Sequence, residues 1–113
     1  MLLNILAVGD VVGEGGQDIL ARRLREVKRE EDIHFTVVNG ENASGVGLTP
    51  RQARGMYDAG ADVITLGNHT WNRIQIKDLL PEAPWLLRPA NYTSRVPAGD
   101  WESTKGRVAC AWL

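Results

Sequence analysis

A single cysteine, Cys110, excludes an internal disulfide framework, and its place in an apolar run marks it as a small core residue rather than a nucleophile. No apolar run approaches the roughly 20 residues that cross a bilayer. The N-terminal MLLNILAVGD is too short for a secretory signal and has no basic leader, so a cytoplasmic location is expected. A formal net charge of −1 gives no pull towards nucleic acid or anionic lipid, so neither DNA nor a membrane is an expected partner. The densest basic stretch, RRLREVKRE, also carries Glu26 and Glu30 and reads as a solvated helix face. Histidine is scarce as well: there are two, His34 and His69. Internal repeats, low-complexity segments and linkers are missing, which leaves one domain over residues 1–113.

What is present is an alternation of strand and helix patterns. LLNILAV (2–8) reads as a buried strand, followed by a helix over 17–31 with Ile19, Leu20, Leu24 and Val27 on one face. HFTVVN (34–39) is a second strand. A second helix follows, with Thr49 as N-cap, Pro50 at its first position and Gly60 at its end. DVITL (62–66) is a third strand and RIQIKDLL (73–80) a short helix closed by Pro81. WLLRPA (85–90) and RVACAWL (107–113) are candidate fourth and fifth strands. The order predicts an α/β protein with a largely parallel sheet and helical crossovers.

Three polar clusters each follow a strand directly: Gly9-Asp10, Gly40-Glu41-Asn42 and Gly67-Asn68-His69. In a parallel sheet the strand carboxyl ends share one edge, where open α/β sheets bind ligands. Taken singly, each residue has an ordinary explanation. Asp10 could cap the next loop, Glu41 and Asn42 could be turn residues, and Asn68 could hold a left-handed turn. Together, Asp10, Glu41, Asn42 and Asn68 form an oxygen-rich set suited to hard metal ions. His69 could then serve as a general acid. His34 has no such company and reads as a strand-start residue. The glycine-rich GDVVGEGG invites a nucleotide-binding reading, a Rossmann-like module. Its third fingerprint glycine is replaced by Asp18, and G-K-[ST] is missing.

The segments GDVVG, NGENASGVGLT, GADVITLGNHTW and LRPANY resemble the YmdB-type metallophosphoesterases of the calcineurin-like superfamily, which include 2′,3′-cyclic-nucleotide 2′-phosphodiesterases. The resemblance implies an α/β/β/α sandwich and a centre of two metal ions, iron or manganese, in a bacterial enzyme. It assigns Asp10, Glu41, Asn42 and Asn68 to the metals, with Glu41 bridging, and His69 to the leaving group or the transition-state phosphate. Three residues depart from the family pattern: Gln17 stands for Arg, Asn72 for Asp and Thr93 for Pro. Family members are more than twice as long and draw further histidine ligands from their second half. The chain therefore corresponds to the N-terminal half of such an enzyme, a partial domain. It is expected to hold one metal weakly or none, to turn over 2′,3′-cyclic nucleotides weakly or not at all, and to self-associate through an uncovered sheet face. A non-catalytic remnant acting through partner binding is the alternative.

Overall fold

A computed structural model describes residues 2–92 as a four-stranded parallel sheet with three helices. The elements are β1 (Ile5–Val8), α1 (Gly13–Glu30), β2 (Phe35–Asn39), α2 (Pro50–Ala59), β3 (Val63–Thr65), α3 (Ile76–Leu79) and β4 (Leu86–Leu87). Strand order follows chain order, β1-β2-β3-β4. Register runs Val8 against Val38, Val38 against Ile64, and Ile64 against Leu86. The candidate fifth strand, 107–113, lies outside the described residues.

Strand alternation sorts the side chains onto two faces. Val38, Ile64 and Leu86 point to the face covered by the helices. There they join Leu20 and Leu24 of α1, Ala53 and Met56 of α2, and Ile76 and Leu79 of α3 in one core. Fully burying each large aliphatic side chain here contributes about 1.5–3 kcal/mol. Phe35, Val37, Val63 and Leu87 point the other way and form a second, smaller cluster. A helix-covered sheet with a second apolar face is the α/β half of an α/β/β/α sandwich.

The helix boundaries have local causes. Thr49 Oγ1 accepts from the Gln52 amide (3.2 Å), and Gln52 Oε1 accepts from the Thr49 amide (2.9 Å), a reciprocal capping box with Pro50 behind it. Gly60, at φ 123°, ends the same helix. Helix α1 carries Glu14 in its first turn and Lys28 and Arg29 in its last, matching the helix dipole.

Several elements differ from expectation. Helix α1 begins at Gly13 rather than Gln17, so the glycine-rich segment is its first turn and not a free loop. Gly16 packs so closely there that a Cβ would meet the Val11 carbonyl carbon at 3.2 Å. Ile19 is 66% exposed rather than part of the buried face, which Leu20 and Leu24 make by themselves. Strand β1 is an edge strand among the described residues, and Ile5 and Ala7 are exposed on it. Its apolar sequence had suggested full burial. The outer strands are shorter than their hydrophobic runs, because the ladders stop where the neighbouring strands stop, and α3 is a single turn, Ile76–Leu79.

Candidate functional site

The parallel topology places Asp10, Glu41-Asn42 and Asn68-His69 beyond the carboxyl ends of β1, β2 and β3, on one edge of the sheet. The loop after β2 is built from within. Ala43 N–H donates to Gly40 O (3.2 Å), Gly45 N–H to Asn42 O (2.9 Å), and Gly47 N–H to Glu41 O (2.6 Å). Gly45 and Gly47 take its left-handed positions, at φ 81° and 88°. Helix α1 braces the loop from outside: Gln17 Nε2 donates to both Gly13 O (3.0 Å) and Ala43 O (2.9 Å). The following loop packs against it, because a Cβ on Gly47 would meet Asn72 Cβ at 3.1 Å and Arg73 Cγ at 2.9 Å.

Glu41 is the residue that joins two of the clusters. Its carboxylate lies over Gly67, where a Cβ would fall 2.6 Å from Cδ and 2.9 Å from Oε1, with Oε2 nearer still. Oε2 is buried and has no hydrogen-bond partner among the described residues. A carboxylate oxygen taken out of water without a donor is costly. Such an atom fits a cation ligand better than a turn residue.

Backbone angles remove the ordinary explanation for Asn68. Among the described residues the non-glycine positions at positive φ are Asp10 (53°) and Asp32 (50°), so Asn68 is not a left-handed turn residue. Its side chain is exposed at the edge, while His69 is half-buried. Asp10 does adopt the left-handed conformation, which short acidic residues tolerate at some cost. It does not cap α1, whose N-cap is Val12 with no side-chain bond. Asp10 also lines an apolar groove of ≈ 320 Å³ with Leu6, Val8 and Ile19. A larger groove of ≈ 560 Å³ runs between α1 and α2 and includes none of the five candidates. The candidates lie at the strand ends, and that groove lies along the helices, away from them.

The donor set is oxygen-rich and short of histidine. Among the described residues no three His, Cys, Asp or Glu side chains converge. His34 sits at the opposite, amino edge, where its Nδ1 accepts from the Asn4 amide (3.0 Å) and its own amide donates to Asn4 O (2.8 Å). That is a structural role.

The YmdB-like protein family model matches residues 6–109, nearly the whole chain. The chain belongs to the YmdB-like family. It is 43% identical over 96 residues to the 2′,3′-cyclic-nucleotide 2′-phosphodiesterase of Bacillus subtilis, covering 84% of this chain and 36% of that protein. A hypothetical protein of Thermus thermophilus has a crystal structure that superposes with a TM-score of 0.74 at 34% identity, over 83% of this chain and 36% of the other. A phosphatase of Mycoplasma pneumoniae gives a TM-score of 0.76 at 26% identity, over 86% and 37% respectively. The YmdB-like chain thus spans little more than a third of the length of these relatives.

Sequence reasoning passed over the residues that hold the third cluster. Gly67 O accepts from Thr70 N–H (3.1 Å), Thr70 Oγ1 (2.5 Å) and the Tyr92 hydroxyl (3.2 Å). The Trp71 and Tyr92 rings are 6.1 Å apart and tilted. Arg88, nearly buried, follows β4 at the same edge and donates to Pro89 O (2.9 Å). LRPANY was visible as a motif, but nothing in its spacing tied it to GNHTW.

Proposed function

We propose that the carboxyl edge of this sheet is the N-terminal part of a metal-dependent phosphodiesterase site, acting on 2′,3′-cyclic nucleotides or related phosphoesters. The observation that carries this reading is the buried, unpartnered Oε2 of Glu41 against the Gly67-Asn68-His69 loop. Asp10, Glu41, Asn42 and Asn68 would hold the metal, iron or manganese. A centre of this kind, when bound, neutralises phosphoester charge and makes a water more acidic. His69 protonates the ribose oxygen that departs as water adds to phosphorus and the P–O bond breaks. The residues at the ends of β1 to β3 would orient the phosphate, and the packing of Gly47 on Arg73 joins the loops after β2 and β3.

Two carboxylates and two amides do not enclose two cations. By itself the chain is a partial metallophosphoesterase domain, expected to hold one ion weakly and to turn over little substrate. The face carrying Ile5, Phe35 and Val37 is the surface through which it would self-associate. Among the described residues no helix is long and apolar enough to cross a membrane. The cytoplasmic setting belongs to the same reading, as the place where a nucleotide substrate would be met.

The test is hydrolysis of 2′,3′-cyclic AMP with added Mn²⁺, by the 113-residue chain alone and mixed with the C-terminal region of the Bacillus subtilis relative. Activity in the mixture that disappears in Glu41→Ala supports the proposal. An assembled mixture without activity favours the non-catalytic reading.

A further inference from the structure

The motif LRPANY has no part in the chemistry above, yet its last residue reaches the centre of the third cluster. Tyr92 follows the end of β4 and lies 25 residues from Gly67, to whose carbonyl its hydroxyl donates at 3.2 Å. Thr70 supplies two more donors to the same oxygen, through its amide at 3.1 Å and its hydroxyl at 2.5 Å. Three donors on one carbonyl are more than a turn needs, since the amide bond by itself closes the turn.

The peptide they hold is the one that launches Asn68. It is trans, so fixing its oxygen also fixes the direction of the Asn68 N–H and the start of the Asn68 side chain. The same glycine lies beneath the Glu41 carboxylate. At the far end of the segment, the Tyr92 ring packs against Trp71, two residues beyond His69. Tyr92 thus brackets residues 67–71 from both sides: its hydroxyl holds the entrance and its ring holds the exit.

We infer that Tyr92 is the positioning residue of the Asn68-His69 pair, and that the segment after β4 works by clamping the Gly67 carbonyl. The inference rests on the proposed site for its functional meaning, while its geometry stands independently.

The two histidines make the test direct. His69 lies in the clamped segment and His34 at the opposite edge of the sheet, so their ring proton NMR signals give a reporter and an internal control. Tyr92→Phe keeps the ring and removes the hydroxyl alone. In metal-free protein at fixed pH, it should displace the His69 signal and leave His34 in place. Thr70→Val, which removes another donor to the same oxygen, should displace the same signal. Ala53→Gly, a destabilising change in α2 away from both histidines, should move neither. An unmoved His69 signal in both Tyr92→Phe and Thr70→Val overturns the positioning role, whatever the metal does. Mn²⁺ added afterwards tests the site separately. It should broaden His69 and spare His34 in the wild type, with affinity falling roughly two- to tenfold in Tyr92→Phe, the effect of one net hydrogen bond. Absence of selective broadening in the wild type would remove the site while leaving the clamp intact.

Discussion

The carboxylate of Glu41 occupies the space above Gly67 that any side chain would fill. A Cβ there would meet the carboxylate carbon at 2.6 Å, well inside van der Waals contact. Gly67 does not lie at positive φ, so its backbone places no demand for glycine. The requirement comes from Glu41.

Gly67→Ala should therefore act through Glu41 and not through the backbone. Overpacking at this point is expected to cost about 1–3 kcal/mol. Glu41→Ala in the same chain should recover most of that loss, because it removes the colliding group. Thermal melts of the two single variants and the double variant form the cycle. Additive losses would mean that the two residues do not share the space.

Gln17 stands where the family pattern has Arg, and its amide group joins the first turn of α1 to the loop that carries Asn42. Gln17→Ala should lower stability by about 0.5–1.5 kcal/mol for each net hydrogen bond lost. Hydrogen exchange should quicken in residues 41–47 before it quickens in the strands. Unchanged exchange in that loop would show that Gln17 does not brace it.

How much of this was legible in the sequence depends on where each residue finds its partner. Helix α2 was readable to its ends, because Thr49, Pro50 and Gly60 act on their own neighbours. The parallel sheet and its polar edge were also readable, since strand and helix patterns alternate and each polar cluster follows a strand. Ile19 was misplaced because the apolar pattern of α1 is wider than the face that α2 and the sheet cover. The early start of α1 was hidden by glycines, whose low helix propensity is overridden by the close approach of Gly16 to Val11. Tyr92 was illegible for a different reason: its partner lies 25 residues away, and only the pairing of β3 with β4 brings them together.

The capping box of α2 gives a prediction independent of any chemistry. Thr49→Ala should destabilise the chain by about 0.5–2 kcal/mol, and Ser44 should lose order with it, since Ser44 Oγ donates to Gln52 Oε1 at 2.7 Å. Denaturant melts would show the change in midpoint with an unchanged slope.

Self-association is expected through the sheet face of Ile5, Phe35 and Val37. Ile5 is 42% exposed there, on a strand that is an edge among the described residues, with Leu3 and Leu2 just before it. Ile5→Lys places a charge on both the face and the edge, and should shift light scattering towards monomer. Scattering that is the same for both proteins would place the contact elsewhere.

Binding of Mn²⁺ to the 113-residue chain, followed by the EPR signal of the free ion, tests the role of Glu41 most directly. Wild type and Glu41→Gln are compared at equal concentration, with circular dichroism confirming that both are folded. The account predicts weak, saturable binding of one ion in the wild type and its loss in Glu41→Gln. Binding that is the same in both proteins would contradict it.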